Sequence, residues 1–190
     1  MAERKGLFMN RDIKPLSKEK WQGYELDFRY ETANCYDADI KHDSNGFYAS
    51  FIKKPFPDPV TKEFKDKLFP DHWEGAQAFG IFDGDYLIAC LEIWKEEWSN
   101  RLRVTELWID EKYRRQGIGK ELMDLAKSKA QEFRCRALIL ETQSCNEKAI
   151  AFYLLQGLRL FGFDRSCYGN NDIEKHEVRI ELGLYLEVIV

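Results

Sequence analysis

Residues 107–120 read LWIDEKYRRQGIGK and run from an apolar strand through a basic, glycine-punctuated loop into a helix. Gly117 and Gly119 expose main-chain N–H groups where the helix begins. Those donors have no intrahelical acceptor and lie at the positive end of the helix dipole, beside Arg114 and Arg115. The segment therefore predicts a cradle for a phosphate-bearing ligand. An alternative stays open, in which the glycines permit close packing and the arginines are solvated charges.

The same loop excludes two common nucleotide-binding motifs. It lacks the Gly-Lys-Ser/Thr ending of a P-loop and the three-glycine fingerprint of a dinucleotide site. We therefore expect a phosphate carrier other than a nucleoside triphosphate or NAD.

The chain that follows the loop alternates helices with strands. Apolar residues spaced along residues 118–133 predict an amphipathic helix packed on a sheet. A short strand is expected over residues 137–140, then a second helix that begins at Asn146 as its N-cap and closes at Gly157. The sheet resumes at residues 158–163, and an alternating pattern predicts a last strand from Val178 to Val188.

The chain before the loop is mainly extended. Alternation predicts strands over residues 24–31, 47–52 and 101–109, and Asp83-Gly84 predicts a tight turn between strands 78–82 and 86–94. Most of the prolines fall between Pro55 and Trp73, so a loop with a helical turn over residues 63–68 is expected there. Because no repeat or linker divides the chain, residues 1–190 are expected to form a single mixed α/β domain.

Composition narrows the class of protein and of ligand. The chain has 190 residues, 44% of them apolar, and 29 basic against 33 acidic residues give a net charge of −4. No apolar run approaches the ~20 residues of a membrane helix. The two signs are mixed along the chain, so no basic face predicts nucleic-acid binding. The acidic balance weakly favours a small cationic molecule or an amine as partner.

Cysteine and histidine usage predicts a reduced environment and no metal. The five cysteines are scattered without a Cys-x-x-Cys pair, and the first ten residues, MAERKGLFMN, lack the apolar core of a signal peptide. A cytoplasmic location is expected. The histidines are equally dispersed, so no metal site is expected. Cys145 has no histidine beside it in sequence and is given no catalytic role.

Two motifs make the chain resemble a known family. Residues 114–119, RRQGIG, match the Arg/Gln-x-x-Gly-x-Gly/Ala signature of the GNAT acetyltransferases. A second block, residues 138–142 followed by Asn146, Tyr153 and Gly157, is similar to the strand and helix that carry an Asn and a Tyr in that family. Within the family, LETQ at residues 140–143 is most similar to the streptothricin acetyltransferases. The likeness spans residues 86–186.

The resemblance implies a fold and a co-substrate. The fold is a mixed central sheet of about seven strands whose central strands splay apart, flanked by helices. Residues 76–186 form the acetyl-CoA-binding core in this reading, and residues 1–75 form a variable acceptor side. Main-chain amides at the splay bind the pantetheine arm and the loop binds the diphosphate. The implied acetyl-CoA-binding residues are Trp108, Ile109, Arg114, Arg115, Gln116, Gly117, Ile118, Gly119, Lys120 and Asn146.

The resemblance also implies direct attack of a neutral amine on the thioester, without a covalent acyl-enzyme. Tyr153 occupies the family's tyrosine position and is the expected acid, although the residues alone favour a core aromatic there. Glu106, on the strand before the loop, is the expected base, acting directly or through water, with Glu92 and Glu141 as rivals. Asn146 reads both as a helix cap and as a partner for the pantetheine amides.

The expected function is transfer of an acetyl group from acetyl-CoA to the primary amine of a small cationic acceptor, such as a streptothricin-like antibiotic. Two alternatives stay open. One is acetylation of a protein N-terminus or lysine, which needs a groove that residues 55–75 either form or block. The other is a module that binds acyl-CoA without turning it over. A homodimer paired through the terminal strand also stays open.

Overall fold

The computed structural model describes residues 11–187, in which a seven-stranded sheet and a two-stranded ribbon are joined by helices. The strands are β1 (Lys14–Leu16), β2 (Glu25–Asp43), β3 (Gly46–Lys67), β4 (Gln77–Asp83), β5 (Tyr86–Glu96), β6 (Arg101–Ile109), β7 (Ala137–Gln143), β8 (Arg159–Asp164) and β9 (Arg179–Tyr185). The helices are α1 (Lys18–Trp21), α2 (Ile118–Glu132) and α3 (Glu147–Leu155), with a 3-10 turn at Glu111–Tyr113.

The sheet has the order β1-β4-β5-β6-β7-β9-β8, and the pair β6–β7 is parallel while the other neighbours are antiparallel. The parallel pairing covers only Arg101–Val104 against Ala137–Leu140. Beyond Val104 the two strands continue without pairing to each other. We call the space between residues 105–109 and residues 141–143 the gap. The mixed sheet with splayed central strands is therefore confirmed.

A β-bulge lies at the point where the gap opens. Glu92 of β5 pairs with Glu106, but the next residue, Ile93, pairs with Val104, so Thr105 is an extra residue in β6. A bulge bends the strand that carries it and increases its twist. This bend provides a physical reason for β6 to leave β7 at this level.

Each face of the sheet carries its own apolar cluster. On the helix face, α2 buries Leu122, Met123 and Ala126 against Leu102 and Val104 of β6, each at most 5% exposed. On the opposite face, which we call the ribbon face, buried residues of β2 and of the segment after β3 pack against β5 and β6. This second cluster includes Leu26, Leu68, Phe69, Cys90 and Trp108.

The largest error of the sequence prediction concerns the segment from Pro55 onward. The expected loop and helical turn are wrong, because residues up to Lys67 belong to β3, which pairs with β2 as one long antiparallel ribbon. The register passes from Thr32–Val60 to Asn34–Pro55, so residues 56–59 stand opposite Ala33 alone. Pro57 and Pro59 fall in that unpaired stretch, where no N–H is needed for the ladder.

The ribbon is fastened to the rest of the molecule near the end of β7. The Tyr36 amide donates to the Ser144 carbonyl at 2.9 Å. Lys53 forms an ion pair with Glu147 at 2.6 Å, and Lys62 forms one with Glu177 at 2.6 Å. The ribbon thus lies across the gap on the ribbon face.

The other predicted helices and strands are present with shifted ends. The β4–β5 hairpin is confirmed, but Asp83 pairs with Tyr86, so the turn residues are Gly84 and Asp85. The last strand ends at Tyr185, and the predicted end at Val188 and the segment MAERKGLFMN lie outside the described residues. Among residues 11–187 no helix is long and apolar enough to cross a membrane.

Candidate active site

The loop between β6 and α2 ends in a left-handed glycine. Gly117 has φ +86° and is the N-cap residue of α2, a conformation that side chains other than glycine rarely adopt. The first hydrogen bond of the helix runs from the Glu121 amide to the Gly117 carbonyl. The amides of residues 118–120 precede that bond and therefore have no acceptor within the helix. Their N–H groups point outward from the helix N-terminus, as an anion cradle requires.

Gly119 allows the start of α2 to pack closely against β6 and α3. A Cβ atom at this position would lie 3.1 Å from the Phe152 ring of α3 and 3.4 Å from Cδ1 of Ile109. Any larger residue would push α2 away from β6 and α3. The two glycines therefore act differently, Gly117 through its φ angle and Gly119 through space.

Most side chains of the loop are engaged with the protein itself. Arg114 donates from Nε to the Ile109 carbonyl at 3.1 Å and from Nη1 to the Arg29 carbonyl at 2.8 Å, so it ties the loop to the ribbon. Gln116 donates to the Lys112 carbonyl at 3.3 Å. Arg115 is exposed. Of these three residues, Arg115 is the one whose position fits phosphate contact through its side chain.

Lys120 and Ile118 complete the predicted loop residues. Lys120 is exposed and forms an ion pair with Asp124 one turn along α2 at 2.6 Å. Ile118 is buried in the helix-face cluster, so only its amide is placed for a ligand.

The main-chain amides at the end of β6 point alternately toward β5 and toward the gap. The Asp110 amide donates to the Ile88 carbonyl at 2.9 Å, toward β5. Because amide direction alternates along an antiparallel strand, the Trp108 amide also faces β5, whereas those of Leu107 and Ile109 face the gap. The structure therefore supports Ile109 and adds Leu107 as main-chain donors. Trp108 is placed instead by its ring, whose Nε1 donates to the Asp27 carbonyl at 2.8 Å.

The two predicted catalytic residues, Glu106 and Tyr153, lie close enough for the charge of the first to act on the second. Glu106 projects from β6 on the ribbon face and is 9% exposed. Burial raises the pKa of Glu106 to about 10, and the neighbouring carboxylates of Asp66 and Glu92 contribute to the rise. Burial also raises the pKa of Tyr153 on α3, and the charge of Glu106 adds to it. Tyr153 therefore holds its proton well into the alkaline range, as a general acid must.

Glu92 and Glu141, the two alternative candidates for the base, already have hydrogen-bond or ion-pair partners. Glu92 is fully buried and accepts from the Phe69 amide at 2.6 Å and from the Thr105 hydroxyl at 2.9 Å. Glu141 pairs with Arg179 at 3.3 Å and lies 3.6 Å from Arg103. Both are held by partners, which leaves Glu106 as the better placed of the three for an incoming amine.

Asn146 and Cys145 lie where the ribbon meets α3. The Asn146 side chain accepts from the Ala149 amide at 3.2 Å, so the predicted helix cap is confirmed. Cys145 is buried and lies 3.3 Å from the Tyr30 hydroxyl, and burial raises the pKa of its thiol. Tyr30 also donates to Oε1 of Gln143 at 2.5 Å. Tyr30 could not be placed beside Cys145 from the sequence, because its position depends on the ribbon register.

The family follows from a comparison of the sequence with known families. The sequence model of the acetyltransferase (GNAT) family matches residues 41–158, and the chain belongs to that family. Enzymes of this family are acetyltransferases that use acetyl-CoA as co-substrate, and the outward amides of α2, the glycine at position 119 and the amides facing the gap fit that molecule.

Comparison with individual proteins shows which members of the family this chain is similar to. The streptothricin acetyltransferase of Streptomyces lavendulae is 29% identical over 168 residues, which cover 83% of this chain and 85% of the relative. The crystal structure of nourseothricin acetyltransferase superposes with a TM-score of 0.71 at 22% identity, over 92% of this chain and 97% of that one. A Bacillus anthracis str. Ames protein described as a streptothricin acetyltransferase, solved with acetyl coenzyme A, gives a TM-score of 0.68 at 20% identity, over 92% and 99%. These two structures share the fold of this chain.

Proposed function

We propose that the protein transfers the acetyl group of acetyl-CoA to the primary amine of a small cationic acceptor of the streptothricin type. The observation that carries this proposal is the gap between β6 and β7, beside which Glu106 is buried on β6 and lies close enough to Tyr153 of α3 for its charge to act on the phenol. In this proposal residues 76–186 bind the donor, and the ribbon within residues 1–75 shapes the acceptor side.

Donor binding is assigned to main-chain groups. The amides of residues 117–120 at the start of α2 bind the diphosphate, assisted by the side chain of Arg115. The amides of Leu107 and Ile109, which face the gap, bind the pantetheine arm. Acetyl-CoA supplies an acetyl thioester to this arrangement when it is bound.

The acid and the base are assigned to the two residues at the gap. The ammonium group of the acceptor gives one proton to the Glu106 carboxylate and becomes a nucleophilic amine. A bond forms between the amine nitrogen and the acetyl carbon, and the carbon–sulfur bond breaks. The Tyr153 phenol donates its proton to the departing sulfur and is reprotonated by the second proton that the nitrogen loses. Glu106 then releases one proton to solvent per turnover.

The charge around the gap supports a cationic acceptor. Glu106, Asp66 and Glu141 are acidic groups of the ribbon face near the gap, and Glu177 lies beside Tyr30 at its β7 end. Lys62 neutralises Glu177, and Arg103 and Arg179 hold Glu141. The two acidic groups near the gap that have no cationic partner among the described residues are Asp66 and Glu106, and while Glu106 is protonated the negative charge offered to a ligand is that of Asp66.

The test is an acetyl-transfer assay on the purified protein. Nourseothricin and a panel of peptides with free N-termini or lysines are offered with acetyl-CoA, and free thiol and the acetylated product are measured. We expect turnover with nourseothricin and little with the peptides. Turnover with the peptides alone would make the protein a protein acetyltransferase, and binding of coenzyme A without any turnover would make it a binding module.

A further inference from the structure

Asp66, near the end of the ribbon, points toward the same face of the sheet as Glu106. Asp66 pairs with Leu26 across the ribbon, and residues directly opposite in an antiparallel pair project to one side. Leu26 is fully buried in the cluster that contains Cys90 and Trp108. The Asp66 side chain therefore projects toward β5 and β6, although the residue itself is exposed to solvent.

The segment that follows Asp66 fixes its distance from Glu106. The Phe69 amide donates to Glu92 at 2.6 Å, and Glu92 pairs directly with Glu106 across β5 and β6. Asp66 is thus three residues from Phe69, which is hydrogen-bonded to Glu92, and Glu92 is the residue opposite Glu106. Asp66 is close enough for its charge to act on the Glu106 carboxyl.

The basic residues beside Asp66 in sequence do not neutralise this pair. Lys65 pairs with Glu25 at 3.1 Å and with Asp27 at 3.4 Å, and Lys67 lies 3.7 Å from Glu25. These contacts lie on the outer side of the ribbon, because Lys65 and Lys67 alternate with Asp66 along β3. The groups that face Glu106 from the surrounding elements are Glu92 and Cys90 of β5, Asp66 of β3, Glu141 of β7 and Tyr153 of α3.

We propose that Asp66 is a specificity-determining residue, which binds the ammonium group of the acceptor together with Glu106 and so selects cationic amines. The inference rests on the proposed function for the identity of its ligand. It adds a residue that the ribbon, and not the core of the fold, contributes to the site.

The proton balance explains why the pair selects a cation. In the free protein one proton is bound at Glu106, beside the Asp66 carboxylate. An incoming ammonium group brings a positive charge, which stabilises the ionised form of both carboxyls, and the proton of Glu106 leaves to solvent. Glu106 can then accept a proton from that ammonium. A neutral group of similar shape displaces no proton and leaves Glu106 unable to act as a base.

The first experiment compares Asp66→Asn with the wild type in steady-state acetylation of nourseothricin. We expect KM for nourseothricin to rise about tenfold or more, as for the loss of one charge-assisted hydrogen bond, with a smaller change in kcat and an unchanged affinity for coenzyme A. Asp66→Glu restores the charge and is expected to recover most of the loss. Asp58→Asn makes the same charge change at another exposed position of β3 and is the matched control.

The second experiment follows the Glu106 carboxyl directly by carbon-13 NMR titration, without any substrate. Removal of the Asp66 charge lowers the pKa of Glu106, so we expect its titration in Asp66→Asn to move to lower pH, and the rise of kcat/KM with pH to move in the same direction. The ionisation of the acceptor itself is common to both proteins and cancels in this comparison.

The two experiments separate two failures. If the wild type acetylates no amine, the proposed function fails, while the titration still decides whether Asp66 and Glu106 interact. If the wild type is active but Asp66→Asn keeps its KM, or if the titration of Glu106 does not move, the role given to Asp66 is wrong and the proposed function stands.

Discussion

Glu106 holds a proton at neutral pH because its carboxyl is buried among other acids. The unfolded chain exposes the same carboxyl with its ordinary pKa of 4.5, whereas the folded protein raises that pKa to about 10. Between these two values the folded state binds more protons than the unfolded state, so folding stability falls as pH rises. The burial of Glu106 that the proposed mechanism uses thus costs folding stability between pH 4.5 and about pH 10.

Glu106→Gln tests this cost. We expect the variant to be more stable than the wild type above about pH 5, with a difference that grows toward pH 10 and exceeds about 1 kcal/mol at pH 8. Urea unfolding between pH 5 and 10 measures it. The same variant is expected to lose most of its acetyl transfer. A stability difference that stays constant with pH would show that Glu106 is not the group that titrates.

Tyr153→Phe tests the acid. In the proposed mechanism the phenol donates a proton to the departing sulfur, so we expect kcat to fall about 10²- to 10⁴-fold, while the affinity for coenzyme A changes less than about twofold. Turnover and calorimetric binding of coenzyme A are measured side by side. Tyr185→Phe removes the same hydroxyl at an exposed position of β9 and is expected to be neutral. An unchanged kcat in Tyr153→Phe would remove Tyr153 from the mechanism.

At the scale of elements, α2 packs closely against β6 and α3 because Gly119 has no side chain. Gly119→Ala places a Cβ 3.1 Å from the Phe152 ring, and overpacking of this kind costs about 1–3 kcal/mol. We expect weaker binding of coenzyme A together with that loss of stability, measured by calorimetry and urea unfolding. Gly162→Ala is the matched control, because a Cβ there meets no atom within 4 Å. Equal behaviour of the two variants would contradict the role given to Gly119.

Elements with a local signal could be predicted from the sequence. Helix α2, the Asn146 cap and the β4–β5 hairpin depend on spacing within a few residues, and the sequence located them. The ribbon did not carry such a signal. Both sides of β3 are partly exposed, so its pattern lacks regular apolar alternation, and prolines at positions 57 and 59 suggested a loop.

The candidate site was predicted in part for the same reason. Tyr153 was predicted from its match to the family's tyrosine position, and Glu106 from its place on the strand that leads into the loop. The sequence could not show that the Leu107 amide, and not the Trp108 amide, faces the gap. The direction of each amide is set by the pairing of β6 with β5. Asp66 lies forty residues before Glu106 in sequence, and only the ribbon register brings the two together.

At the scale of the whole molecule, a network of buried charges joins four strands on the ribbon face. Arg103 contacts Glu96 at 2.7 Å and Glu181 at 3.1 Å, and Arg101 contacts the same two glutamates. Glu96 is 4% exposed and Arg103 is 9% exposed. The network links β5, β6 and β9 just below the level where β6 leaves β7, and Glu141 extends it to β7.

Arg103→Ala is expected to destabilise the protein by about 3 kcal/mol, because it removes one of the two arginines that neutralise Glu96 and Glu181 and leaves Arg101 as their remaining partner. Chemical denaturation measures the loss. Lys41→Ala breaks an exposed pair with Asp39 and is expected to cost less than about 1 kcal/mol. Similar losses in both variants would mean that the buried network is not a main support of the sheet.

Thr105 is a single extra residue in β6, and the bulge that it forms lies where the gap between β6 and β7 opens. An insertion in a strand normally turns every later side chain to the opposite face. Here the bulge absorbs the step, so Leu107 and Ile109 still contact the helix-side core and Trp108 the other cluster. Deletion of Thr105 is therefore expected to let β6 continue beside β7 with additional ladder hydrogen bonds, and so to close the gap that the proposed function uses.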